Sequence, residues 1–456
     1  MRELLRRTAD HIADYREGLA EARVFPSASV GELRQALGGP LPERGTPAAE
    51  VVETLATAVP PGLVASAGPR YFGFVTGGSL PAATAADLLV TGWDQLAFNP
   101  VSSPASAVVE EVAGGWLKEV LGLPASASVG FVTGGQGANT VALAAARHHV
   151  LAQAGWDVEG NGLIGAPRVR VVVGAERHAT IDRSLRLLGL GSAVVQEVPP
   201  RADGSIDPIA LEEVLAGGPG GPLIVCLQAG NVNSGACDDL VGGVALAHAR
   251  GGWVHVDGAF GLWAAASPRT RPLVGGLAAA DSWACDGHKW LNVPYDSGYA
   301  FCAHPEAHAA AMAYAAAYLV GQGEGPVRNP SAFVPESSRR SRGMATWAAL
   351  KELGRDGVVE LVDRCCALAR RFAAALDGVE GAGVVNDVVL NQVLVRFGDD
   401  DRTRRVVEAV QRSGECWMGG TAWHGMALMR ISVSNWSTRE ADVDRSVQAI
   451  LAACRS

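Results

Sequence analysis

The sequence predicts an α/β protein built on a mostly parallel central sheet, with a smaller α+β lobe following it. Three observations point there. Between about residue 105 and residue 305, short β-branched runs alternate with helical segments. Those runs are apolar along nearly their whole length rather than at every second position. Beyond residue 310 the order and character of the elements change. Near-continuous apolar strands separated by helices describe a sheet covered on both faces.

In chain order, residues 1–70 read as a helical arm, broken by the Pro/Gly-rich stretch "LGGPLPERGTP" (Leu37 to Pro47). Such an arm cannot bury its apolar stripe alone and must pack on the main body or on a partner subunit. "AVVEEVAGGWLKEVLGL" (Ala107 to Leu123) has apolar residues at helical spacing. The strand-like runs are "VRVVVG" (Val169 to Gly174), "PLIVCLQ" (Pro222 to Gln228), "WVHVD" (Trp253 to Asp257), "DSWAC" (Asp281 to Cys285) and "GYAFC" (Gly298 to Cys302). The C-terminal part opens with a weakly patterned segment (Leu319 to Arg340). It continues with a helix from about Gly343, another over Val358 to Leu376, and a strand over Val388 to Phe397. A helix near Thr403 to Ser413, a strand over Leu428 to Ser434 and a closing helix complete it. The expected division is an N-terminal arm (1–70), a large domain (71–310) and a small C-terminal domain with a mobile loop (311–456). A chain of 456 residues is long enough for roughly 2 or 3 lobes.

Composition narrows the function classes. Hydrophobic residues make up 48% and charged residues 19%, as in an ordinary globular protein, and the formal net charge of −9 argues against non-specific nucleic-acid binding. The charged N-terminal helix is unlike a signal peptide, and the Ala-rich run at 309–320 is too short to span a bilayer. The expected location is therefore the cytoplasm, without membrane association. The eight cysteines form no CxxC pair and no zinc-spaced cluster with histidine, so no metal site is expected and they read as small buried hydrophobes.

Ligands of parallel sheets bind at the carboxyl ends of the strands, and four strand ends here carry polar residues. "GFVTGGQGAN" runs from a strand through glycines into a helix, where backbone N–H groups and the helix N-terminus could take a phosphate. A plain tight turn reads equally well. His178 stands just past a strand, a position open to a helix cap as much as to catalysis. Asp257 ends the apolar run "WVHVD", a costly place for a carboxylate without a cationic partner, or else an N-cap for the next helix. Lys289, in "DGHKWLNVPYDSG", is one of few lysines in a chain whose positive charge is almost all arginine. Taken together, the four offer an anion cradle, a ring, a carboxylate and a primary amine. Pyridoxal phosphate needs that set: phosphate binding, stacking, a carboxylate at the pyridine nitrogen and a lysine for its aldehyde.

The blocks "FVTGGQGAN", "ERHATIDRSLRLLGL", "QAGNVNSGACD", "HVDGAFG", "DGHKWLNVPYDSG" and "MRISVSNW" resemble, in order and spacing, the group II pyridoxal-phosphate-dependent amino-acid decarboxylases, which include the aromatic-L-amino-acid enzymes. The likeness runs from about Tyr71 to the C-terminus. It implies the aspartate-aminotransferase-like fold (pyridoxal-phosphate fold type I), pyridoxal 5'-phosphate as cofactor, and a homodimer with sites at the subunit interface. It further implies decarboxylation of an L-amino acid to the amine and CO2. Position by position, Lys289 would bind the cofactor aldehyde, Asp257 would face the pyridine nitrogen, and His178 would stack on the ring with Ala259 beneath it. Gly135, Gln136 and His288 would hold the phosphate, with Asp286 nearby in place of an asparagine and Asn231 near the cofactor. Phe74, Val75 and Thr76 would line the substrate pocket; Phe74 with Phe98 points to an apolar or aromatic side chain, or both equally belong to the core.

Two departures keep the reaction open. "VRNPSAFVPESSRR" (Val327 to Arg340) has no tyrosine where the family's loop brings one to protonate Cα. Asn231–Val232 replaces consecutive threonines. A decarboxylating aldehyde synthase, a transaminase or a carbon–carbon lyase on the same fold are the alternatives. Arg430 in "MRISVSNW" would then grip an α-carboxylate, or is simply structural. A catalytically silent relative would be expected to lack Lys289 or Asp257, and both are present.

Overall fold

Residues 1–314 and 328–455 are described in the computed structural model. They group into two compact units. Residues 319–327 of the segment expected to form a loop, and Tyr318 before it, lie outside the described residues.

The larger unit comprises Ser79–Ala369 and Asn386–Gln392. Its sheet is made of β1 (Ser128–Val132), β2 (Arg170–Gly174), β3 (Val195–Val198), β4 (Leu223–Gln228), β5 (Trp253–Asp257), β6 (Ser282–Asp286) and β7 (Gly298–Cys302), in the order β1-β7-β6-β5-β4-β2-β3. The β2–β3, β2–β4, β4–β5 and β5–β6 pairs are parallel, and β7 runs antiparallel to both neighbours. This is the expected mostly parallel sheet, with one reversed strand. β1, β5, β6 and β7 are buried at every residue, which requires cover on both faces. Part of that cover is the helix Gly135–Gln153, whose small apolar residues Ala138, Ala142, Ala145 and Ala146 let it lie close against β5, β6 and β7. β3 has no counterpart among the strand-like runs: its sequence VQEV is polar in the middle because it is an edge strand, exposed on one side.

The smaller unit comprises Met1–Gly78, Arg370–Val385 and Val393–Ser456. It holds a four-stranded sheet of β8 (Ala382–Val384), β9 (Gln392–Phe397), β10 (Gly419–Trp423) and β11 (Met426–Ser432), ordered β10-β11-β9-β8. The helix Asp400–Ser413 packs on β11 and on the closing helix Glu440–Arg455. The N-terminal arm belongs here rather than standing apart. Arg70, 1% exposed, donates to the carbonyls of Ala20, Ala22 and Glu415, and Val24 N–H donates to Gly414 O. The division therefore falls elsewhere than at residues 70 and 310: the arm's polar anchors are C-terminal carbonyls, and a helical stretch with one break runs past Ala369, where the chain passes from the larger unit to the smaller. That stretch, Arg342–Leu376, covers both helices expected from Gly343 onward; Gly354, at φ 60°, is the break between them.

Strand β9 starts at Gln392, four residues later than expected. β8 and β10 were not anticipated, being short and Gly/Ala-rich. Cys226, Cys285, Cys302, Cys365, Cys366 and Cys416 are buried, as expected of small apolar side chains. Among the described residues no helix is long and apolar enough to cross a membrane.

Candidate active site

The carboxyl ends of β1, β4, β5 and β6, with the turn after β2, surround a cavity of about 290 Å³ in the larger unit. Gly135, Gln136, His178, Asp257, Ala259, Asp286, His288 and Lys289, eight residues singled out from sequence, all line it.

The floor comes from β1 and the helix it feeds. Gly134 caps Gly135–Gln153, so the first-turn N–H groups, which have no intrahelical acceptors, belong to the cavity wall. A side chain could not stand there. A Cβ on Gly134 would lie 2.7 Å from the His288 ring and 3.2 Å from Asp286. The Gln136 amide turns to Ser184 Oγ (2.9 Å) and Thr180 O (3.3 Å), so its contribution to the cradle is its backbone.

Lys289 projects from the turn after β6. Its Nζ lies 3.0 Å from Asp286 Oδ2, while Asp286 Oδ1 accepts the Gly135 N–H and stands 3.4 Å from His288 Nε2. Asp286 thus ties the amine, the imidazole and the cradle together. An ionised carboxylate has no proton to donate to a phosphate, so its part is to orient the groups around it. His288 Nδ1 accepts from Ser297 N–H (3.2 Å), and its ring stacks on Tyr295 with centroids 4.4 Å apart. Burial pulls the His288 pKa down, with the Asp286 charge opposing.

Asp257 ends β5 with 5% exposure. Burial pushes its pKa up. A second proton on the His178 ring, when it carries one, the charge of Lys289, and the donors Ala259 N–H (3.3 Å) and Asn139 Nδ2 (3.2 Å) work the other way. His178 caps a helix, its Nδ1 accepting from Thr180 N–H at the start of Ala179–Leu187, and its ring also lines the cavity.

Asn231 is placed differently. Its Oδ1 accepts from Asn233 and Ser234 N–H, and its Nδ2 reaches Glu176 (3.2 Å) and Gly204 O, so it organises its own loop. Gly230 and Val232 line the cavity instead. Phe98 does not line it either. Phe74, Val75, Thr76 and Arg430 belong to the smaller unit. There Phe74 stacks on Trp417 (5.3 Å), and Phe74 and Val75 both have positive φ (54° and 57°). For a β-branched residue such as Val75 that conformation is strained. Arg430 lies on β11 opposite Gly419, its pKa lowered by burial. Asn139 and His255 went unnoticed in the sequence, although position 255 shares a strand face with Asp257 by simple alternation.

The residues fit pyridoxal phosphate: a helix N-terminus with room for an anion, a buried carboxylate, an imidazole face and a primary amine meet in one cavity. Residues 31–397 match the family model "Pyridoxal-dependent decarboxylase conserved domain". The chain belongs to that family. It is a pyridoxal-phosphate-dependent amino-acid decarboxylase with the aspartate-aminotransferase-like fold type I. It is 28% identical to tryptophan decarboxylase 1 of Oryza sativa subsp. japonica over 95% of this chain and 90% of that one. Likeness to 4-hydroxyphenylacetaldehyde synthase of Rhodiola rosea is 25% over 95% and 91%. The crystal structure of Oryza sativa TDC with PLP and tryptamine superposes with a TM-score of 0.92 at 25% identity, covering 100% of this chain and 97% of the other.

Proposed function

We propose that this decarboxylase acts on an aromatic L-amino acid, releasing the arylalkylamine and CO2. Relatives named for tryptophan and for a 4-hydroxyphenyl product support the aromatic class, as do Val232 and Phe260 in the cavity wall. The observation that carries the reading is Lys289 sharing one cavity with Asp257, His178 and the Gly134–Gly135 turn.

Pyridoxal phosphate, when bound, supplies a ring that takes up the electron pair left at Cα as CO2 departs. Lys289 would hold its aldehyde, Asp257 a proton at its ring nitrogen, and the helix N-terminus at Gly135 its phosphate. His178 would present its ring to the ring face, and Ala259, small and tied to Asp257 through its N–H, would leave the other face free. His288, its pKa lowered by burial, is neutral near pH 7 and offers an N–H at Nε2, since Nδ1 is already accepting. The exposed apolar residues Leu5, Val51 and Leu55 of the N-terminal helices support a homodimer, in which a second copy covers them.

A second reading is oxidative decarboxylation to an aldehyde, with dioxygen as the two-electron oxidant (reduced to hydrogen peroxide) and the nitrogen leaving as ammonia. It is favoured by the absence of tyrosine from Val327–Arg340 together with the aldehyde-synthase relative. Tyr314, upstream, has its hydroxyl engaged with Ser337 Oγ. Incubating the holoenzyme with a panel of amino acids, while following CO2, amine, aldehyde and keto acid, decides between them. Amine and CO2 in equal amounts, greatest with an aromatic substrate, is the expected result. Aldehyde with CO2 would select the second reading, and keto acid without CO2 would overturn both.

A further inference from the structure

A chain of buried polar groups runs from the middle of the sheet to Asp257. Trp253, His255 and Asp257 alternate along β5 and so point to one face. Ser282 on β6 is the register partner of His255, and Asn139 faces the same strand from the second turn of the helix Gly135–Gln153. The links are short: Trp253 Nε1 to Ser282 Oγ 2.9 Å, Ser282 Oγ to His255 Nδ1 3.0 Å, His255 Nε2 to Asn139 Oδ1 2.9 Å, Asn139 Nδ2 to Asp257 Oδ2 3.2 Å. All five side chains are 5% exposed or less. At Asn139 the chain branches. Nδ2 also donates to Thr180 Oγ1 (3.0 Å), which meets His178 Nδ1 at 2.9 Å.

The ends of this chain fix its direction. An indole N–H can only donate and a carboxylate can only accept. Asn139 must therefore present its amide hydrogens to Asp257 and Thr180, and its oxygen to His255. His255 then carries its proton on Nε2, and its Nδ1 accepts the Ser282 hydroxyl, which is free to donate because its oxygen already accepts from Trp253. Burial lowers the His255 pKa to about 3, with its contact to Ser282 opposing, so the ring is neutral as this scheme requires. On the other branch, Thr180 accepts from Asn139 and donates to His178 Nδ1, leaving the His178 proton on Nε2. Turning the Asn139 amide over would set its oxygen against the carboxylate.

We infer that Asn139 and His255 are positioning residues for the decarboxylation: one buried amide, oriented by His255, both aims a donor at Asp257 and sets the tautomer of His178. The inference rests on the reading that Asp257 faces the cofactor's ring nitrogen and His178 its ring. A buried carboxylate needs such a donor to stay ionised against desolvation, and a charge-assisted hydrogen bond in a low dielectric is among the stronger ones.

The test uses the holoenzyme loaded with pyridoxal phosphate carrying nitrogen-15 in its ring. The ring-nitrogen chemical shift, which reports protonation, is measured alongside cofactor Kd and thermal unfolding. Asn139→Leu and His255→Phe should move the shift toward the unprotonated nitrogen and weaken cofactor binding on the order of tenfold, the size of one hydrogen bond to a charge. His255→Gln, which keeps an N–H for Asn139, should restore most of both. Thr180→Val, a milder change at a half-buried site, should leave the ring-nitrogen shift alone and still weaken binding severalfold through His178. Asp257→Asn serves as the reference. If it moves the shift while Asn139→Leu and His255→Phe do not, the relay is overturned and the Asp257 reading stands. If Asp257→Asn leaves the shift unmoved, the reading itself falls and the inference with it. Unchanged cofactor Kd in Thr180→Val would overturn the His178 branch.

Discussion

The larger unit contains two ion pairs of opposite design. Glu110 and Arg339 meet through two contacts of 2.6 and 2.8 Å, with their side chains 2% and 1% exposed. Asp286 and Lys289 meet through one contact of 3.0 Å. Asp286 is 2% exposed, but the lysine is 22% exposed and opens on the cavity. The first pair uses the planar fork of arginine to satisfy both carboxylate oxygens, and nothing is left over for chemistry. The second uses a lysine whose single contact leaves its amine able to exchange partners. The same attraction of opposite charges serves structure where it is doubled and enclosed, and function where it is single and open.

The largest effect expected from breaking this contrast is on the open pair. Lys289→Ala should take amine production below detection while thermal unfolding moves by only a few degrees, since the side chain is partly exposed and singly bonded. Large destabilisation would show that Lys289 is structural. The closed pair should do the reverse. Glu110→Ala strands a buried guanidinium and should cost about 3–5 kcal/mol in urea unfolding, with turnover of the surviving folded fraction near normal.

Buried histidines sharpen the comparison. His308, bonded to Ser128 Oγ (2.8 Å) and Phe333 O (3.0 Å), has its pKa lowered by burial to about 3, as does His255. Between the ordinary value of 6.5 and about 3, the unfolded chain binds protons that the folded chain refuses. Stability therefore rises with pH through that window and falls as acid is added. Urea unfolding from pH 7 down to pH 4.5 should show this fall, and His308→Gln should flatten it, by an amount that grows as pH drops below 6.5 toward a limit of about 1.4 kcal/mol per pH unit. An unchanged slope would remove His308 from the account. The smallest effect is expected from Asp286→Asn. Losing one negative charge beside the cradle should strengthen binding of inorganic phosphate severalfold in titration calorimetry, and weaker binding would contradict the placing of the anion there.

Much of the larger unit was legible because its strands are buried on both faces and so carry uninterrupted apolar runs. What escaped had a physical reason. Edge strand β3 is polar in the middle, and β8 and β10 are short and rich in small residues. The N-terminal arm groups with C-terminal segments through backbone carbonyls, which have no sequence signature. At the site, Lys289, Asp257 and His178 stood out because a charged or polar group at the end of an apolar strand demands explanation. Asn139 did not, being one polar residue in a small-residue helix. Asn231 misled, because its place beside the cavity says nothing of where its side chain turns; the loop's own N–H groups claimed it.

Lys289 as the amine that binds the cofactor is the claim on which the rest depends, and the chain's composition makes it easy to test. It has three lysines, Lys118, Lys289 and Lys351, and the amine of Lys118 is tied to the carbonyls of Ala125 and Ala127 at 2.6 and 2.8 Å. Borohydride reduction of the enzyme saturated with pyridoxal phosphate, followed by peptide mass spectrometry, locates the modified residue. The pyridoxyl group on Lys289 alone is the expected result. A label on Lys118 or Lys351, or no label at all, would contradict it.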